Sequence, residues 1–217
     1  EAASGVSLST GQWYHLAGTI EGGNVSIYID GYQRGTTTAV GNIVDPGNDL
    51  GIGANVTNSS GYFDGQIDEV RVWNINRSAA NLRDFMCQKL TGNETGLIGY
   101  WRFNEETGTD CFDISDNHNK GTLTNMDSVT DRICSTAPIG DDSGHDYTSF
   151  DVTLTSDYGD NLTAEEFDGT WSAGEFSALH VYIVNNAPLF DDGTIFLEDF
   201  SAAKHYWGIF VSGGITP

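Results

Sequence analysis

The sequence predicts an all-β chain: an antiparallel sandwich with one short helix, followed by a second, smaller β-sandwich. Strict apolar–polar alternation recurs in short runs. In Asn24–Asp30, Val25, Ile27 and Ile29 alternate with Ser26, Tyr28 and Asp30, and a period of two lays one face of a strand against a core. The 217 residues include 27 glycines but only 4 prolines, among many Asn, Asp, Ser and Thr, the composition of short strands joined by tight turns. Hydrophobic residues make up 38% and aromatic residues 12%, enough to fill cores of this kind.

The elements follow in order. Asp30-Gly31 is a turn signal, because glycine takes positive φ without steric cost, and a second strand is expected to begin near Tyr32 to form a hairpin. Loops are expected at Gly41–Asp49 and Asn55–Gly61. Phe63–Asn74 reads as a strand, with Ile67, Val70 and Val72 supplying β-branched bulk and Trp73 suiting a pleated face. The period then changes. Leu82, Phe85, Met86 and Leu90 recur at three-to-four spacing after Ser78, a good N-cap, so an amphipathic helix is expected over 77–90. Strands are expected within 97–126, and 132–146 reads as a polar linker. The module over 147–217 has strands at Ser149–Thr155, Ala178–Val184 and His205–Val211.

A formal charge of −22 repels phosphate backbones and anionic headgroups, which argues against nucleic-acid partners. No run of about 18 apolar residues occurs, so no membrane insertion is expected, and EAASGVSLST lacks the layout of a signal peptide. Cys87, Cys111 and Cys134 show no CxxC spacing, which disfavours zinc. A disulfide between Cys111 and Cys134, which flank the GTLTNM run, is one expectation. The other two pairings and buried thiols stay open.

Three segments, GQWYHLAGTI (Gly11–Ile20), NVSIYIDGYQRG (Asn24–Gly35) and FDGQIDEVRVWN (Phe63–Asn74), together resemble the C-terminal part of a laminin-G-like jelly roll, the concanavalin A-like lectin/glucanase fold. The resemblance implies a module over 1–131, incomplete at its N-terminus, with the strands of 97–126 added to it in permuted order; the competing account has 91–131 begin a second, interrupted module. It also implies opening strands before Glu1, a truncated 147–217 module and a longer parent polypeptide. Gly96–Glu105 and Asp113–Leu123 match the GL-x-x-YW-x-F-x-E and D-x-S-x-x-x-N-x-G-T-L elements of such modules. Their position after the closing strand is similar to large secreted or cell-surface adhesins of the Bacteroidota. That likeness implies type 9 secretion, passage through the secretion machinery, and adhesion or gliding outside the cell, with a glycan or a cell-surface protein as partner. A carbohydrate-binding accessory module of a polysaccharide-degrading enzyme, or a structural spacer, is the alternative.

The resemblance also implies a structural Ca2+ held by the loop from Asp113 to Gly121 together with an acid of the closing strand. The ligand candidates are Asp68, Asp113, Asp116 and Asn119. Calcium takes about six to eight oxygens with some negative charge, and Asp, Ser and Asn at alternate positions can turn oxygens inward; an Asx-rich turn capped by its own side chains is the competing reading. Glucanases of this fold use an E-x-D-x-x-E strand. Glu166-Phe167-Asp168 begins that pattern and Trp171 ends it, so no enzyme is expected. Sugar stacking needs exposed aromatics beside polar donors. Tyr28 and Tyr32 on a strand face, and Asn55, Asn58 and Tyr62 on a loop, are the candidates, while Trp13, Trp73 and Trp101 are expected to fill the core.

Overall fold

A computed structural model describes residues 3–38, 47, 49–56, 59–148, 151–157, 159–165, 178–185 and 205–212. It is nearly all β, with several antiparallel sheets and one short helix, in keeping with jelly-roll and sandwich architecture. The loop expected at 41–49 falls almost wholly outside the described residues, as do Asn58 and Glu166–Trp171. The described chain forms two compact units, one of 1–37, 76–90 and 136–217, the other of 38–75 and 91–135. This grouping crosses the boundary expected between 131 and 147.

In the first unit, β1 (Leu16–Glu21), β2 (Asn24–Ile29) and β3 (Tyr32–Thr38) form one sheet in that order. The expected hairpin turns at Asp30-Gly31, where both residues take positive φ, 50° and 74°. Ile29 is buried, but Val25 and Ile27 are only partly covered. Leu16 and Ile20 stand exposed, and an open apolar hollow of about 310 Å³ lies against Leu16, Ile27 and Ile29.

Helix α1 (Ala79–Phe85) is shorter than expected. Ser78 caps it, its hydroxyl accepting from Asn81 N at 3.2 Å while Asn81 Oδ1 accepts from Ser78 N at 3.4 Å, the reciprocal capping box. Met86 closes it, and Met86 and Leu90 are buried beyond its end.

The linker expected over 132–146 ends in a strand. β8 (Asp142–Asp146) pairs antiparallel with β11 (Ala178–Asn185), whose other edge is taken by β12 (His205–Ser212). The hairpin of β9 (Val152–Thr155) and β10 (Asn161–Ala164) places Val152 and Leu154 against Leu179, Val181 and Ile183. Burying each such side chain contributes roughly 1.5–3 kcal/mol. The opposite face of β11 carries His180, 1% exposed.

Gly31 fixes how closely the β2–β3 turn approaches α1. A Cβ there would run into Arg83 Cγ and come within 3.2 Å of the Tyr147 hydroxyl, at a φ that L residues rarely adopt. Gly31→Ala is therefore expected to cost about 2–4 kcal/mol from left-handed strain and overpacking, read as a lowered denaturation midpoint.

In the second unit, β4 (Val70–Trp73) pairs antiparallel with β5 (Leu97–Trp101), and β6 (Asp110–Cys111) with β7 (Gly121–Thr122). The strand expected over Phe63–Asn74 is confined to Val70–Trp73. Glu69 just before it has φ of 54°, which interrupts the extended backbone. Trp101 is buried, whereas Trp13 and Trp73 are only half-buried, so the expected tryptophan core reduces to one residue.

Candidate functional site

The loop after Leu50 folds back on itself. Asn55 and Ser60 exchange backbone hydrogen bonds of 2.8 and 3.3 Å, and Phe63 N donates to Gly53 O at 2.8 Å. Gly53 and Gly61 supply positive φ of 77° and 63°, which lets so short a hairpin close. Its outgoing arm displays Tyr62 and Phe63, 63% and 58% exposed. A Cβ on Gly65 would strike the Phe63 ring, so that ring lies across the glycine backbone. Leu50 and Val56 are also exposed. The loop thus exposes several apolar and aromatic side chains in a segment that also carries Asn55, residue types suited to an apolar face edged by hydroxyls. Of the five expected stacking and donor residues, Tyr62 and Asn55 both belong to this loop. Phe63, exposed and next to Tyr62 in the sequence, is not among the five because it opens a run that scans as strand.

Tyr28 and Tyr32 do not serve as a platform. Tyr28 is buried, and the Tyr32 ring packs 5.4 Å from Tyr147 with the guanidiniums of Arg34 and Arg83 at 5.4 and 5.8 Å. The reason is tertiary: β8 and α1 supply neighbours that lie far along the chain. Tyr147 OH lies 3.0 Å from His180 Nε2, and the His145 ring stacks on His180 at 5.3 Å. Burial first, then His145, His15 and Arg83, push the His180 pKa down to about 3. Burial likewise pushes Asp30 up to about 6, against its bond from His15 N and the nearby Arg34. His145 is also lowered, chiefly by burial. Among the described residues this is a packed polar cluster in which His180 is almost wholly buried.

In the second unit, Glu69 gathers Arg71 Nη2 at 3.0 Å, Arg102 Nε at 3.4 Å and the Tyr100 hydroxyl. Beside it, Asp68 accepts from Ser135 Oγ and from Glu69 N, and burial raises its pKa. Asp113 is buried. Its Oδ1 accepts from Tyr100 N and Ser115 N and its Oδ2 from Asn119 N, all at 2.8 Å. Burial alone would raise the Asp113 pKa, but these bonds hold it below the usual carboxylate range.

The residues present do not fit the expected Ca2+ site. Both Asp113 oxygens already serve backbone N–H groups, and the Asn119 amide donates to Ile98 O at 3.1 Å. Asp116 is exposed. Among the described residues Asp68, Asp113 and Asp116 are not gathered into a group able to hold a metal ion. The Asx-turn reading describes this loop: its oxygens point inward to organise backbone.

The expected Cys111–Cys134 disulfide is not formed. Cys87 and Cys111 are buried and Cys134 is exposed. The Arg132 guanidinium sits on the Cys111 thiol at 3.8 Å while donating to Asp110 O at 2.8 Å, which fills the approach a second sulfur would need.

Comparisons with curated proteins and with solved structures return no match. Among protein families, the model of the concanavalin A-like lectin/glucanases superfamily, of laminin-G type, matches residues 1–83. That stretch contains the Tyr62–Phe63 surface and ends short of the Asp113 loop. Residues 1–83 are thus similar to a laminin-G-like module of the concanavalin A-like superfamily, a fold that commonly serves binding.

Proposed function

We propose that this chain is a non-catalytic recognition module of a larger extracellular or cell-surface protein, and that it binds glycan through the Tyr62–Phe63 surface in adhesion. The observation that carries the reading is the pair of adjacent aromatics, both more than half exposed, with the Phe63 ring lying over Gly65, within the family-matched segment. Large apolar side chains left in water gain nothing for the fold, whereas a sugar ring laid on them buries both surfaces. No helix among the described residues is long and apolar enough to cross a membrane.

The test is a polysaccharide and glycan array probed with the full chain. Tyr62→Ala and Phe63→Ala are each expected to weaken binding at least tenfold, about 1.4 kcal/mol. Unfolding midpoints should stay near wild type, since exposed substitutions away from caps and ion pairs change stability by about 0.5 kcal/mol or less. Binding that survives both substitutions would remove this surface from the function. A folded chain that binds no glycan would turn the reading towards a cell-surface protein partner or a spacer.

A further inference from the structure

The strand alternation around Asp113 leaves a second surface with an unusual pairing of side chains. Trp101 bridges Asp113 in antiparallel register, which sets Arg102 opposite Phe112 on the neighbouring backbone. Asp113 and Ser115 are buried and point inward, so the alternation turns Phe112 and Ile114 outward. Phe112 stands 54% exposed. Beside it lies a hollow of about 230 Å³ lined by Arg102, Asn104, Glu105, Phe112 and Ile114. That is smaller than the roughly 300–1,000 Å³ of drug-sized pockets, and suits a single ring.

The guanidinium in this hollow is already positioned. Arg102 Nε lies 3.4 Å from Glu69 Oε1. With the Asn104 amide oriented to satisfy both residues, its oxygen accepts from Arg102 Nη2 at 3.1 Å and Nε at 3.3 Å. Nη1 has no partner among the described residues. The nearby carboxylates are engaged elsewhere as well. Glu105 binds Arg132 at 3.2 Å and Phe112 N at 2.6 Å, Glu69 is shared with Arg71 and Tyr100, and Asp68 accepts from Ser135. In a chain with 31 acidic and only 9 basic side chains, a fixed arginine edge next to an outward aromatic selects for an anion attached to an apolar face.

We propose that this hollow binds a sugar ring bearing a carboxylate, the uronic-acid unit of an acidic polysaccharide, with the ring's C–H face on Phe112 and Ile114 and its carboxylate on Arg102. The planar guanidinium fork matches a carboxylate better than it matches a hydroxyl. The net charge of −22 opposes an anionic sugar as it opposes nucleic acid. The carboxylate is favoured only by local attraction at Arg102, with acidic side chains beyond about 8 Å screened at physiological salt. The inference rests on the recognition reading but uses a different surface.

The experiment is calorimetric titration of the full chain, at physiological salt, with a galacturonate oligomer and with its neutral, carboxyl-reduced counterpart. The acidic oligomer is expected to bind at least tenfold more tightly. Arg102→Gln should remove that preference, Arg102→Lys, which keeps the charge without the fork, should fall between, and Phe112→Ala should weaken both oligomers at least tenfold. Thermal unfolding monitors each variant. Should Arg102→Gln lose its fold with its Glu69 and Asn104 contacts, Phe112→Ala at its exposed position carries the test. Failure of the wild type to bind the galacturonate oligomer, or unchanged binding in both Arg102→Gln and Phe112→Ala, overturns the proposal. If glycan binding is lost only in Tyr62→Ala or Phe63→Ala, the recognition reading stands and this one falls. If it is lost only in the Arg102 and Phe112 variants, this site stands and the Tyr62–Phe63 surface falls.

Discussion

Asp113→Ala is expected to destabilise the unit formed by 38–75 and 91–135 by about 3–5 kcal/mol. The carboxylate receives three backbone N–H groups, those of Tyr100, Ser115 and Asn119, each at 2.8 Å. Tyr100 and Ser115 are both 0% exposed, so water cannot replace the lost acceptor for either of their N–H groups. A buried donor left without a partner costs about 1–3 kcal/mol, and bonds to an ionised acceptor are the stronger kind. Asp113→Asn keeps one carbonyl oxygen with two lone pairs and should lose about half as much. Trp101 fluorescence in a denaturant titration is the readout, because its Nε1 donates to Asn119 O at 3.1 Å in the same loop. EDTA is expected to leave the wild-type midpoint unchanged. A chelator-induced loss as large as that of Asp113→Ala would return this loop to a calcium-binding role.

Acid is expected to act on the other unit in two opposite ways that single substitutions separate. His180 has a folded pKa of about 3 against 6.5 unfolded. Between those values the unfolded chain binds the extra proton, so stability falls as pH falls, by about 1.4 kcal/mol per pH unit. Asp30 has a folded pKa of about 6 against 3.8. Between those values the folded state binds the extra proton, so stability rises as pH falls. The two effects nearly cancel from pH 6 to 3.8 and leave the His180 loss visible only outside that window. Asp30→Asn should therefore lose about 3 kcal/mol on going from pH 6 to 4, while His180→Phe should gain about the same. Denaturation midpoints measured at both pH values give the two slopes. Parallel slopes in the two variants would show that these groups are not buried as neutral forms.

Much of the local structure was legible in the sequence because it depends on near neighbours. The alternation in Asn24–Asp30, the glycine after Asp30 and the Ser78 cap each act over a few residues, and β2, β3 and α1 form where they point. Where local reading failed, a distant partner or a special backbone angle decided. Asp142–Asp146 is polar enough to scan as a linker, yet it becomes an edge strand because β11 offers it an unpaired edge. Helix α1 stops at Phe85, earlier than its apolar spacing suggests. Lys89 N then donates to Gly140 O and Gly140 N to Cys87 O, both at 2.8 Å, drawing the following backbone into a bridge instead of another turn.

The candidate sites divide the same way. Exposure of Tyr62 followed from its glycine-rich, polar loop. The fate of Tyr28 and Tyr32 did not, because alternation says which residues share a face but not what comes to cover it. For Asp113, composition offered oxygens at suitable spacing, and only the fold determined that they serve backbone N–H groups. The all-β class, the turns and the helix start follow from local chemistry alone, since φ preferences, side-chain period and capping act within a few bonds. Strand partners, the covering of Tyr32 and His180, the separate Cys111 and Cys134, and the pairing of Arg102 with Phe112 were decided by the tertiary structure. Each depends on which distant backbone satisfies an open edge, and no local period encodes that choice.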